Sequence, residues 1–117
     1  MIKLHGIRNC DTVKKARAWL ESNDIAYEFH DFQKHGVSAE LLLPWIAQVG
    51  WEKLVNRQGT TWRKLHSAQQ AAVVNPASAI ALMVEHSSVI KRPVLVTDGK
   101  VLVGFDVTAY EFLLTRG

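Results

Sequence analysis

Ile2-Lys3-Leu4-His5-Gly6-Ile7-Arg8-Asn9-Cys10-Asp11-Thr12-Val13-Lys14-Lys15-Ala16-Arg17-Ala18-Trp19-Leu20 is the stretch on which the fold turns. Residues 2–6 read as a strand, with apolar side chains mostly alternating, and Arg8 to Thr12 as a polar turn. Val13, Ala16, Trp19 and Leu20 then recur at helical spacing, which predicts a helix over about 11–22 with a buried stripe. Ser22-Asn23-Asp24 breaks it. The only cysteine of the chain, Cys10, falls at the junction. A thiol there faces unpaired backbone N–H groups and the positive end of a helix dipole, and both favour the reactive thiolate. Free cysteine is also among the most buried residue types. Position alone therefore leaves nucleophile and core filler as equal readings.

Outward from this stretch, Ile25 to Phe32 alternates apolar and charged residues and predicts a second strand. The chain thus opens as βαβ, for which a parallel, right-handed crossover is expected. A helical middle follows. Ser38 caps a pattern built on Leu41, Leu42, Trp45 and Ile46, with Pro44 placed near its first turns. Short helices are expected at Trp51–Leu54 and Thr60–Leu65, and Asn75-Pro76 opens another that runs to about Glu85. The end returns to strands: Pro93–Val96 and Val101–Val103 flank Asp98-Gly99, a hairpin signal, and Asp106–Leu114 closes with a helix. This order is α/β, the connectivity of a thioredoxin-like mixed sheet, with a helical insertion at about 38–86 between its halves.

The 117 residues, 48% of them hydrophobic, fit a single domain over 1–117 with a core of its own. One cysteine excludes an intramolecular disulfide and a cysteine-built zinc site, and it fits a reducing compartment. No apolar run approaches the ~20 residues of a membrane span, and the N-terminus lacks a signal peptide's apolar stretch. A cytoplasmic protein without membrane contact is expected. The 14 basic and 11 acidic side chains, formal charge +3, form no aromatic-laced basic stripe, so no nucleic-acid partner is expected. His5, His30, His35, His66 and His86 have no metal-ligand spacing, and no metal site is predicted.

The peptide Gly6-Ile7-Arg8-Asn9-Cys10-Asp11-Thr12-Val13-Lys14-Lys15-Ala16 resembles the opening of the ArsC/Spx family of thioredoxin-like proteins, in particular its YffB-like branch. The resemblance continues through Asn75-Pro76, Lys91-Arg92-Pro93-Val94 and Val103-Gly104-Phe105. It implies a reactive Cys10 at the start of the first helix, with Arg92 and a cis-bonded Pro93 beside it. A guanidinium near a thiolate lowers its pKa. In the family's arsenate reductases three arginines surround the cysteine. Arg57 and Arg92 match two of them, whereas the third position falls at Val103-Gly104-Phe105. Losing one charge-assisted donor from an oxyanion site costs about 1.5–3 kcal/mol. The resemblance therefore implies a glutathione-dependent thiol reductase before an arsenate reductase, with room at Gly104 for a glutathione moiety.

Val13 stands where a Cys-x-x-Cys reductase would carry its second cysteine. Cys10 can then form only a mixed disulfide, and an external thiol must complete a turnover. Glutathione is the expected co-substrate, with no bound cofactor; glutaredoxin is a further candidate partner, and a monomer is expected. Arg8 is a candidate to compensate for the missing arginine. Thr12 reads either as a hydroxyl donor to the sulfur or as a plain first-turn residue, and Asn9 as a site amide or a turn former. Asp11 can cap the helix, though its charge opposes thiolate. Lys14 and Lys15 read as surface residues, one of which can face an anion pocket. An Spx-like regulator that binds RNA polymerase is the non-enzymatic alternative, and the missing Cys-x-x-Cys counts against its redox control.

Overall fold

The computed structural model describes residues 1–115. Strands β1 (Lys3–Gly6), β2 (Glu28–Asp31), β3 (Val94–Thr97) and β4 (Lys100–Val103) form one sheet in the order β2-β1-β3-β4. The β1–β2 pair is parallel, and β1–β3 and β3–β4 are antiparallel. The sheet is therefore mixed, as the order of elements predicts. Two compact units result: one from Met1–Asp31 and the chain from Arg92 onward, the other from Phe32–Lys91.

In the first unit, register explains which side chains meet. Phe29, Leu4, Leu95 and Leu102 are successive cross-strand partners. With a period of two, they share one face. Leu4 and Leu95 join Ala16 and Leu20 of helix α1 (Asp11–Ser22) and Tyr110 of the closing helix Val107–Leu114 in a buried cluster. Burying each leucine contributes about 1.5–3 kcal/mol. On the other face His30, His5, Val94 and Val103 form the next row. His5 and Val94 are buried too, so β1 and β3 are covered on both sides. At the end of β1 a Cβ on Gly6 would lie 2.9 Å from Val13 Cγ2. Glycine lets the strand pass this close to α1, and the Ile7–Cys10 connection is correspondingly short. The β3–β4 loop is Asp98-Gly99, both at positive φ (47° and 75°) between the Thr97–Lys100 pair. That is the backbone of a type I′ turn, the reading that Asp-Gly supports.

The second unit is helical: α2 (Phe32–His35), α3 (Ala39–Val49), α4 (Trp51–Leu54), α5 (Thr60–Lys64), α6 (Ser67–Ala71) and α7 (Pro76–Glu85), then a 3₁₀ turn at Ser87–Val89. The closing helix of the first unit is α8. Ser38 Oγ accepts from Leu41 N–H, and Asn75 caps α7 through Ser78 N–H with Pro76 in its first turn. Phe32, Leu42, Trp45, Leu54, Met83 and Ile90 are among its buried residues.

Two expectations need correction, the bounds of the second strand and the missing α6. The second strand covers only Glu28–Asp31: Phe32 starts a helix and is buried in the other unit. Pro44 lies, as expected, near the first turns of α3, as its sixth residue. Only the bond its missing N–H would have made to the Glu40 carbonyl is lost, and the helix continues. α6 has no counterpart in the sequence reading, because it buries nothing and carries no apolar stripe.

Candidate active site at the start of the first helix

Cys10 is the N-cap of α1, with extended backbone (φ −143°, ψ 123°) that turns its side chain across the first helical turn. It is a free thiol, partly exposed. Sγ makes no conventional capping bond. The amides of Val13 and Thr12 nevertheless favour its anion, and the Arg92 guanidinium hydrogen-bonds to it and adds its charge. Partial burial pushes the thiol pKa up, but these donors outweigh it and the net shift is downward. The lowered pKa raises the fraction of thiolate, the nucleophilic form, at a given pH.

The Arg92–Pro93 peptide is cis, and Pro93 is fully buried just before β3. The Pro93 carbonyl accepts from Gly104 N–H at 2.8 Å. Gly104 has φ 82°, a left-handed conformation that itself selects glycine. An arginine at this position would meet backbone strain.

The predicted site residues thus fall into three groups. Cys10, Thr12 and Arg92 come together, with Thr12, read either as a hydroxyl donor or as a first-turn residue, contributing its N–H; Pro93 follows Arg92 and is buried. Val13 contributes an amide that its side chain does not advertise; any residue at that helical position supplies the same N–H. Arg8 and Asn9 are exposed. Arg8 lies 3.8 Å from Asp31 and 5.8 Å from the Phe29 ring centre. Arg57 belongs to the helical unit, exposed, with its guanidinium carbon 5.6 Å from the Trp51 ring centre and 5.7 Å from that of Trp62. Trp62 therefore helps to hold an arginine.

Among the described residues no group of three or more His, Cys, Asp or Glu is placed to hold a metal ion. No helix among them is long and apolar enough to cross a membrane. His5 is 4% exposed and stacks on His30 with ring centres 4.8 Å apart. Burial, then the charges of His30 and Lys3, lower its pKa from 6.5 to about 4.

The sequence model of the ArsC family matches residues 5–112. The chain belongs to the ArsC family. Among solved structures, a YFFB protein superimposes with a TM-score of 0.93 at 48% identity, covering 97% of this chain and 99% of its own. An arsenate reductase (ArsC) related protein from Brucella melitensis gives 0.75 at 48% identity, covering 98% and 95%. Among curated proteins, an uncharacterized protein of Haemophilus influenzae is 40% identical over 95% of this chain and 96% of its own length. A global transcriptional regulator Spx of Streptococcus agalactiae is 26% identical over 99% and 85%. The thioredoxin-like fold expected for the family is the one observed.

Proposed function

We propose that this ArsC-family chain is a monothiol reductase that uses the Cys10 thiolate as nucleophile and glutathione as co-substrate. The observation that carries the reading is a solitary cysteine at the N-cap of α1, with the Arg92 guanidinium and two helix amides on its sulfur. In the first step Cys10 Sγ attacks one sulfur of a disulfide, the S–S bond breaks, and the other sulfur leaves with the electron pair and takes a proton. Cys10 is then in a mixed disulfide. Glutathione thiolate attacks the sulfur of the retained half, Cys10 leaves as thiolate, and the retained half departs as a disulfide with glutathione, so the electrons for the released thiol come from glutathione. Arg92, Thr12 N–H and Val13 N–H stabilise the sulfur anion at both ends of the cycle. Arg57, Arg8, Asn9 and Pro93 are the proposed substrate-binding residues, and a glutaredoxin is the alternative electron donor.

Mass spectrometry after treatment with glutathione disulfide tests the reading. It predicts a single glutathionyl adduct on Cys10 that reduced glutathione removes; a chain that stays unmodified rejects it.

Arsenate reduction is a second reading, supported by the Brucella relative's description. Against it stands Gly104 at the position of the third family arginine, in a conformation that selects glycine. Glutathione- and glutaredoxin-coupled arsenate turnover decides between the two. The Spx likeness raises a regulatory reading; partner capture that survives Cys10→Ser would support that role over thiol chemistry.

A further inference from the structure

The stripe of α1 that leads away from Cys10 is cationic. Cys10, Lys14 and Arg17 lie at i, i+4 and i+7, so they share one side of the helix. Lys14 N–H closes the first helical turn on the Cys10 carbonyl at 2.9 Å. At 1.5 Å of rise per residue, Lys14 and Arg17 stand roughly 6 Å and 10 Å along the axis from Cys10. Both line an open cleft of about 400 Å³, together with Arg8, Ala18 and Glu21.

The two guanidiniums are held in place by the sheet. Arg17 lies 4.2 Å from the Phe29 ring centre and donates from Nε to the Tyr27 hydroxyl at 3.0 Å. That hydroxyl donates in turn to Glu21, so the one carboxylate of the cleft is already engaged. Arg8 sits against the same phenyl ring with Asp31 beside it. Lys14 is exposed, and its ammonium has no carboxylate partner among the described residues. The cleft thus sets three cations against the single carboxylate of Glu21, and a cleft lined by an excess of one sign of charge attracts the opposite ion.

We infer that the Arg8–Lys14–Arg17 cleft selects disulfides and thiols that carry a carboxylate a few bonds from the sulfur. The inference rests on Cys10 being the reacting thiol. When Cys10 Sγ attacks such a disulfide, the retained half forms the Cys10–S–S bond with its carboxylate in the cleft. The other half departs as thiolate with the bonding pair and is protonated by solvent.

The test uses the full-length protein and three small aliphatic disulfides: that of mercaptopropionate (anionic), hydroxyethyl disulfide (neutral) and cystamine (cationic). Each rate of Cys10 mixed-disulfide formation, read by intact mass, is divided by the rate of a neutral cysteine derivative with the same disulfide. This ratio removes leaving-group and intrinsic charge effects. At low salt the normalised anionic rate should exceed the cationic one about tenfold, within the range that charge focusing provides. In 1 M salt, where screening acts within about 3 Å, the preference should largely vanish. Lys14→Glu should cut it at least severalfold and Lys14→Gln by less. Lys15→Glu makes the same change in net charge on a neighbouring helix face and should affect the preference less than Lys14→Glu. Equal normalised rates, or a preference that Lys14→Glu and Lys15→Glu alter alike, overturn the cleft. Failure of the parent reading shows separately, as a neutral-disulfide rate no higher than that of the reference thiol.

Discussion

Replacing Arg92 with methionine removes the guanidinium from the Cys10 sulfur and keeps a side chain of similar length. A hydrogen bond to a charged group is worth about 1.5–3 kcal/mol. Cys10 is partly exposed, so water takes up part of that loss and the lower end applies. About 1.5 kcal/mol is roughly a tenfold change in the thiol–thiolate equilibrium, and the pKa moves upward. Below both pKa values the thiolate fraction then falls about tenfold. Nucleophilicity rises with basicity at a Brønsted slope of about 0.4–0.5, which returns about threefold of it. The variant should therefore be alkylated about threefold more slowly at acidic pH and about threefold faster at alkaline pH. The two pH–rate curves must cross. With one cysteine in the chain, iodoacetamide uptake followed by intact mass reports Cys10 alone. Arg92→Lys, which keeps a point charge but not the planar fork, should fall between the two. A methionine variant that unfolds at the parent temperature and shows the parent profile, with no crossing, refutes the role assigned to Arg92.

Three further outcomes follow from the first unit. His5 titrates near 6.5 when unfolded and at about 4 when buried, so between those values only the unfolded chain takes the proton. Stability should fall on acidification below 6.5, by up to about 3 kcal/mol at pH 4, and His5→Leu should flatten that slope in urea titrations. Parallel slopes in the two proteins would count against it. The Tyr110 hydroxyl is buried without a hydrogen-bond partner among the described residues, and burial holds its pKa well above the usual phenol range. Tyr110→Phe should therefore be neutral or stabilising by about 1 kcal/mol in denaturant unfolding, whereas a loss of similar size would reveal a bond to that oxygen. Gly6→Ala forces a Cβ to within 2.9 Å of Val13 Cγ2 and should cost about 1–3 kcal/mol. Pairing it with Val13→Ala should recover part of the loss, and strict additivity would locate the strain elsewhere.

The thiol and its helix were legible because the signals are local. Strand, turn and apolar stripe lie within twenty residues of Cys10, and Asp98-Gly99 declares its own turn. Arg92 and Pro93 carry no local signal of a site; the family likeness alone pointed there, and cross-strand pairing brings them to Cys10. Val13 was read for the cysteine it lacks, while its contribution is an amide that no side chain encodes. The strand predicted through Phe32 overran because alternation continues where the chain leaves the sheet. His5 shows only a lack of metal spacing in the sequence, and strand pairing places it in a covered row. The two tryptophans against Arg57 lie on separate short helices, a juxtaposition that periodicity cannot express.

The sheet order has a consequence for how the molecule is made. Cys10 leaves the ribosome early, but Arg92 and the strand that carries it follow only after the whole helical segment has been synthesised. Until then β1 lacks its β3 neighbour, and the sulfur has helix amides near it at most. Much of the drive toward thiolate is therefore withheld from the nascent chain. The Arg92 share of the thiolate's stabilisation arrives only once β3 has been made and paired with β1.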